Sequence, residues 1–133
     1  MLVLDEQLLG LGIEVRIQGW YAGSVQFISD LRPGTVIEDA AIPGLLRQQR
    51  QPTFVTINER DFWRKVAIDR TFCIVCFAWH DSRARDIPQV LRQLFHRDEF
   101  HTKAKRMGCV VRVTDQEINY YTVENNQVQT LTK

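Results

Sequence analysis

Three short apolar runs of this chain each lead into acidic residues. The runs and the residues that follow them are Leu2-Val3-Leu4 before Asp5-Glu6, Phe54-Val55-Thr56-Ile57 before Asn58-Glu59-Arg60-Asp61, and Phe72-Cys73-Ile74-Val75-Cys76-Phe77 before Ala78-Trp79-His80-Asp81. If the runs are neighbouring parallel strands, their carboxyl ends lie along one edge of the sheet, where open α/β folds bind ligands. Carboxylates gathered there repel one another unless a divalent cation compensates their charge. The pattern therefore predicts a Mg²⁺ or Mn²⁺ site, and it favours metal-dependent phosphodiester hydrolysis.

The elements that would position these acids alternate between strands and helices. Strands are predicted at Leu2–Leu4, Ile13–Ile17, Thr53–Ile57 and Phe72–Phe77, and helices at Gln7–Leu11, Glu38–Gln49, Asp61–Ala67 and Ile87–Phe95. The last helix is the most secure, because its apolar residues fall at offsets 0, 3, 4, 7 and 8. For the helix predicted at Glu38–Gln49, a cap at Glu38 or Asp39 places Pro43 in the first turn, where proline is tolerated. Residues 19–36 are rich in Gly, Ser and Pro and predict a long loop.

The C-terminal part predicts a hairpin, with strands at 110–113 and 118–123 joined through residues 114–117. Beyond Glu124 the chain is polar and is expected to fray. We therefore expect one domain over residues 1–124, followed by a polar tail over residues 125–133, which agrees with a chain of 133 residues.

Composition excludes several classes of protein. No apolar run approaches the roughly 20 residues of a membrane helix, and the first residues lack the basic and long apolar regions of a secretory signal. We expect a cytoplasmic protein without a membrane partner. The three cysteines are expected to be reduced, and Cys73 and Cys76 lie three apart in a predicted strand, where they point to opposite faces and do not chelate one ion.

Charge is unevenly distributed although the net charge is only +1. Residues 1–40 hold six acids against two bases, and residues 83–106 hold seven bases against three acids. A basic flank beside an acidic region suits an enzyme that binds metal next to a phosphate backbone. An ordinary solvated helix face accounts for the basic residues equally well.

Several segments together resemble PIN-like nucleases. Leu2-Val3-Leu4-Asp5-Glu6 resembles the L-V-D-E-N opening of small proteins of that family, and Asp39-Ala40-Ala41-Ile42 stands where they carry an acid at a helix start. Phe54-Val55-Thr56-Ile57-Asn58-Glu59-Arg60-Asp61-Phe62 is similar to their V-T-x-D-x-D-F segment. The segment is one residue longer than that pattern, and Asn58 stands where its first acid is expected. These segments span roughly residues 1–65, and the family includes many toxins of toxin-antitoxin pairs.

The resemblance implies a three-layer α/β/α fold with a mainly parallel central sheet and RNA hydrolysis by metal-activated water. Carried over by position, Asp5, Asp39 and Asp61 are the catalytic residues and ligands of Mg²⁺ or Mn²⁺. Asn58 would ligate the metal through its carbonyl, or Glu59 would substitute for it. The implied partners are RNA, an antitoxin protein and a second copy of the chain. Separately, Arg60, Arg64 and Lys65 are close enough in sequence to contact the RNA backbone, and solvated helix residues are the alternative.

Purely structural roles stay open for several of these residues. Asp39 and Asp61 are also suitable helix caps, Phe62 and Trp63 suit helix packing, and His80-Asp81 suits a surface loop as well as a fourth acid or a proton shuttle. A second hypothesis, favoured by Asn58, is a PIN-like domain without turnover that binds nucleic acid or a protein. A third is a phosphoryl-accepting receiver-like domain, which the absence of a lysine after a late strand disfavours.

Overall fold

The structure is a computed structural model that describes residues 1–133. Its strands are β1 (Leu2–Leu4), β2 (Val25–Phe27), β3 (Thr53–Thr56), β4 (Cys73–Phe77), β5 (Cys109–Val113), β6 (Glu117–Thr122) and β7 (Gln129–Thr132). Its α-helices are α1 (Ile13–Gln18), α2 (Ile42–Arg47), α3 (Glu59–Phe62), α4 (Ile87–Phe95) and α5 (Lys103–Arg106). Short 3₁₀ turns cover Glu6–Leu8, Ile28–Leu31, Asp39–Ala41, Asp81–Asp86 and Asp98–Phe100.

All seven strands form one sheet in the order β2-β1-β3-β4-β5-β6-β7. The first five strands in that order are parallel, and β6 and β7 are antiparallel to their neighbours. The three apolar runs of the sequence are β1, β3 and β4, which lie side by side. The prediction of a mainly parallel sheet with these runs as neighbours is confirmed.

Both faces of the sheet are covered, because side chains alternate between two hydrophobic clusters. Leu2, Leu4, Val55 and Val75 belong to one cluster together with buried residues of α1 and α4. Val3, Phe54, Ile74 and Cys76 belong to the other cluster with buried residues of α2 and α3. The strands are apolar throughout for this reason. Cys73 and Cys76 lie in different clusters, as their spacing predicts, and all three cysteines are free thiols.

Two helices were placed well from the sequence. α4 spans Ile87–Phe95 as predicted, with Pro88 near its start and Leu91 and Leu94 in the core. A 3₁₀ turn capped at Glu38 leads into α2, whose first turn accommodates Pro43. The predicted start at Glu38 or Asp39 is that of the 3₁₀ turn, whereas α2 itself begins at Ile42 and ends at Arg47, two residues before the predicted end.

The prediction of a strand at Ile13–Ile17 is wrong, because this segment is helix α1. Ile13 and Ile17 are buried, whereas Val15 between them is 65% exposed. The two isoleucines lie four residues apart and so share one helix face. The same three apolar residues also fit the period of a strand, which caused the error.

Other boundaries also differ from the prediction. The long loop at 19–36 contains strand β2 and a 3₁₀ turn, and the helix predicted at Gln7–Leu11 is only the turn Glu6–Leu8. The helix predicted at 61–67 is α3 at Glu59–Phe62, since Trp63 is extended and Arg64 has a φ of 61°. The tail expected to fray contains β7, whose Thr130 hydroxyl accepts a hydrogen bond from the amide of Asn119 on β6 at 3.1 Å.

None of the helices has the length and apolar character that crossing a membrane requires.

Candidate functional site

The candidate site lies where the order of the sheet reverses. The chain passes from β1 to β2 on one side of β1, and then returns to β3 on the other side. The carboxyl ends of β1 and β3 therefore flank the crevice in which open α/β sheets bind ligands. Asp5 follows β1 directly, and Asn58 is the N-cap of α3, two residues after the end of β3.

Asp5 is a buried carboxylate with only 6% of its surface exposed. Its backbone N–H donates to the Val55 carbonyl at 3.0 Å, and its Oδ2 accepts a hydrogen bond from the Thr56 hydroxyl at 2.6 Å. Burial raises the pKa of Asp5, although the hydrogen bonds from Thr56 and from the Glu6 and Gln7 amides act in the opposite direction. An acid of raised pKa at a sheet switch point is typical of a functional group.

Asn58 joins two further carboxylates of the site. Its Nδ2 donates to Asp61 Oδ2 at 2.8 Å and is 3.3 Å from Asp39 Oδ2. Its Oδ1 accepts from the Asp61 backbone N–H at 3.3 Å and so caps the short helix α3. Two acids that are 22 positions apart in the sequence are thus brought to a single amide group.

The pKa values of Asp39 and Asp61 are shifted in opposite directions. The pKa of Asp39 is raised, first by loss of hydration, then by its contact with Asp61 and by the charges of Asp5, Asp61 and Glu6. The pKa of Asp61 is lowered, first by the Asn58 hydrogen bond and then by its contact with Asp39. Asp61 is therefore the more readily ionised acid, and Asp39 the more readily protonated one. The charge of Asp5 acts on Asp39.

A groove of about 580 Å³ opens beside the pair. It is lined by Asp39, Asp61, Arg47 and Lys65, with Ala40, Pro43, Val66 and Ala67 between them. Arg47 is held by Asp69 at 2.5 Å, whereas no ion pair engages Lys65. Carboxylates and cations in one groove suit a ligand that combines a phosphate with a metal ion.

Two other predicted site residues, Glu59 and Arg64, lie apart from this groove. Glu59 Oε2 faces Arg112 Nη1 at 3.7 Å, and its charge does not contribute to the pKa shift of Asp39. Arg64 donates to the Asn126 carbonyl at 2.7 Å instead of facing the acids. Of the three predicted basic contacts, Arg60 and Lys65 are near enough to lower the pKa of Asp61. The structure thus places Glu59 against Arg112 of β5 and Arg64 against Asn126 in the connection between β6 and β7.

His80 and Asp81 do not join the acids. Both are exposed, and His80 Nδ1 accepts from the Ser82 backbone N–H at 3.3 Å. Their segment is the start of the 3₁₀ turn Asp81–Asp86, in agreement with the surface-loop alternative.

Sequence reasoning missed three contributors to the site. Glu6 acts on Asp39 by its charge, Thr56 holds Asp5, and Arg47 lines the groove. Glu6 could have been found as the second acid after β1. Nothing in the sequence pattern distinguishes Thr56 or Arg47 from ordinary strand and helix residues.

The pair of carboxylates is the donor set that the groove offers to a metal ion. The structure contains no group of three or more His, Cys, Asp or Glu side chains arranged to hold a metal. Asp39 and Asp61 do present two carboxylate oxygens to one amide nitrogen, and Mg²⁺ commonly takes one or two carboxylates with water as its remaining ligands. The hard oxygen donors of this pair therefore fit Mg²⁺ or Mn²⁺.

No protein-family model, curated protein or solved structure matches this chain.

Replacing Asp5 by asparagine is expected to stabilise the fold at neutral pH. The pKa of Asp5 is raised in the folded state. The contribution of Asp5 to the free energy of unfolding is therefore largest below its ordinary pKa, and it is lost as pH rises through the raised value. The variant should therefore unfold at higher urea concentration than wild type at pH 7 in EDTA, and the difference should shrink toward about pH 4. A difference that is the same at both pH values would contradict the prediction.

Replacing Thr56 by valine is expected to destabilise the fold. The Thr56 hydroxyl donates to Asp5 and accepts from the Asn58 backbone N–H at 2.9 Å, so valine leaves two polar groups without a partner. The expected loss in the free energy of unfolding is about 1–3 kcal/mol. Thr56→Ser keeps the hydroxyl and should lose much less, which urea denaturation of the two variants will measure.

Proposed function

We propose that this chain is a metal-dependent ribonuclease with a PIN-like three-layer α/β/α fold and a C-terminal β-hairpin. The observation that supports this most is the set of three acids at the switch point of the sheet. Asp5, Asp39 and Asp61 come from three separate segments, and the charges of Asp5 and Asp61 both act on Asp39. Folding brings like charges together at a cost, which a ligand of opposite charge would offset.

In this proposal Asp39 and Asp61 hold Mg²⁺ or Mn²⁺, and Asp5 adds a carboxylate at the end of β1, joined to the Asn58 backbone through the Thr56 hydroxyl. When bound, the metal would lower the pKa of a water molecule and neutralise the phosphate. Asn58 holds the two carboxylates in place, and rotation of its amide would present a carbonyl oxygen in place of the NH₂ group. Lys65 and Arg47 would contact the phosphate of the RNA from the same groove, and Arg60 would add positive charge near Asp61.

The proposal includes the biological role that the family resemblance suggests. The chain would act on cytoplasmic RNA as the toxin of a toxin-antitoxin pair, and its partners would be an antitoxin protein and a second copy of the chain.

The test is a Mn²⁺ titration of the purified protein with a panel of labelled RNAs. Cleavage that appears with Mn²⁺ or Mg²⁺ and stops on addition of EDTA supports the proposal. Calorimetry on the same material measures whether the metal binds at all. Absence of binding at millimolar metal would refute the metal site.

A second candidate function is binding of nucleic acid or protein without turnover. The observation that favours it is Asn58, whose NH₂ group lies between two carboxylates and partly compensates their charge without a metal. RNA binding that persists in EDTA, together with no cleavage at any metal concentration, would support this function over the nuclease.

A further inference from the structure

Two guanidinium groups lie over aromatic rings beside the C-terminal end of α3. Arg112 Cζ is 4.9 Å from the centroid of the Trp63 ring, and Arg64 Cζ is 4.4 Å from the centroid of the Tyr121 ring. The two rings contact each other edge to face at 5.2 Å. We call Trp63, Arg64, Arg112 and Tyr121 the arginine platform.

Hydrogen bonds fix the orientation of both guanidinium groups. Arg112 donates through Nε and Nη2 to Asn119 Oδ1 at 3.1 and 2.9 Å. Arg64 donates to the Asn126 carbonyl, and it does so from a left-handed backbone conformation that side chains rarely adopt. These contacts pre-organise the cations, so little conformational entropy remains to be lost on binding.

Neither cation is paired with a carboxylate at hydrogen-bond distance. Arg64 forms no salt bridge. The nearest acid to Arg112 is Glu59, at 3.7 Å, and Glu59 Oε2 itself has no hydrogen-bond partner. The Arg112 side chain is 31% exposed, and Arg64 is exposed. Guanidinium groups that hydrogen-bond to no carboxylate are suited to an anionic partner with planar groups.

The helix α3 places this platform directly beside the candidate site. Asp61 lines the groove and is hydrogen-bonded to Asn58, whereas Glu59 and Trp63 contact Arg112. Arg64 of the platform is followed directly by Lys65, which lines the groove with Asp61, so an RNA strand with a phosphate in the groove would pass close to the platform. Unpaired bases stack on aromatic rings and on guanidinium planes, whereas bases inside a duplex are not accessible for this contact.

We propose that the arginine platform binds the base of a nucleotide next to the cleaved phosphate and selects single-stranded RNA. The inference rests on the proposed function for its RNA partner, but not on catalysis or on the metal. It assigns Arg112 and Trp63, which lie outside the acidic site, to substrate recognition.

The experiment measures fluorescence polarisation of a short fluorescein-labelled single-stranded RNA in EDTA, where cleavage cannot occur. The variants are Arg112→Lys and Arg64→Lys, which keep the charge and lose the planar group. Each is expected to weaken binding by about tenfold, in the range found for loss of one stacked base. Arg92→Lys is the matched control, since Arg92 is exposed on α4, and it should bind as wild type. Thermal melts confirm that each variant is folded.

The outcomes separate the platform from the nuclease. Weaker binding of single-stranded RNA by both lysine variants, with duplex RNA bound poorly by wild type, supports the platform whether or not Mn²⁺ produces cleavage. Wild-type affinity in both variants, or equal affinity for duplex RNA, overturns it. A second result also overturns it: the protein binds a polyglutamate peptide in preference to RNA, and the lysine variants bind the peptide as well as wild type. That result indicates an acidic protein partner. The proposed function is tested independently, and it fails if neither Mn²⁺ nor Mg²⁺ produces cleavage of RNA.

Discussion

Asp61→Asn is expected to reduce Mn²⁺-dependent RNA cleavage by more than about 100-fold, since loss of an outer-shell partner alone commonly costs 10- to 100-fold at a metal site. Asp61 is the more readily ionised acid of the pair, and it lines the groove with Lys65. Asparagine keeps the shape of the side chain and removes its charge. Since the helix cap uses the backbone N–H of Asp61, the fold of α3 should be unchanged.

The matched control for this experiment is Asp98→Asn, which removes one exposed carboxylate from a 3₁₀ turn near α5. Cleavage by the control should equal that of wild type. Comparable loss in both variants would indicate a general charge effect, and unchanged cleavage in Asp61→Asn would exclude Asp61 from the metal site.

Asn58→Asp is expected to have the second largest effect. It should destabilise the fold without metal and strengthen the binding of Mn²⁺. In EDTA a third carboxylate beside Asp39 and Asp61 adds repulsion, so the melting temperature should fall. With Mn²⁺ the same carboxylate becomes an additional hard ligand, and metal affinity should increase by roughly tenfold or more, in the range of 10–100-fold effects at metal sites. Because a bound metal stabilises the folded state, Mn²⁺ should then raise the melting temperature of the variant more than that of wild type.

Asn125→Asp provides the comparison for this variant. Asn125 lies in an exposed turn, where its Oδ1 accepts from the Gln127 backbone N–H, and aspartate can accept the same bond. Calorimetry and thermal melts should show no change in metal binding there. If Asn58→Asp neither melts lower in EDTA nor binds Mn²⁺ more tightly, Asn58 does not occupy a ligand position.

The sequence was sufficient to predict the strands that end at the candidate site. β1, β3 and β4 are continuous apolar runs, and the stripe of α4 satisfies only the helical period. The rule that parallel strands share a carboxyl edge then placed Asp5 near Asn58, to which the Thr56 hydroxyl links it. These predictions depended on residues that have only one physical interpretation.

The failures occurred where two interpretations fit the same residues. Ile13, Val15 and Ile17 match a strand by alternation and a helix by the spacing of the two isoleucines, and packing on α4 decides between them. The direction of Glu59 depends on where the short helix α3 begins. A cap at Asn58 turns Asp61 toward the groove and Glu59 toward Arg112, which lies 53 positions later in the chain. Such pairings follow from the folded register and not from local spacing.

One row of side chains crosses the sheet from the candidate site to the arginine platform, and a thiol lies in its middle. Thr56, Cys76 and Arg112 are register partners on β3, β4 and β5. Cys76 is fully buried, and burial raises its pKa, so it resists reaction with Ellman's reagent in the native state. Labelling at Cys76 can proceed only when these strands separate. In a variant with Cys73 and Cys109 replaced by serine, the labelling rate of Cys76 would therefore measure how often the middle of the sheet opens. RNA bound at both ends of the row should lower that rate.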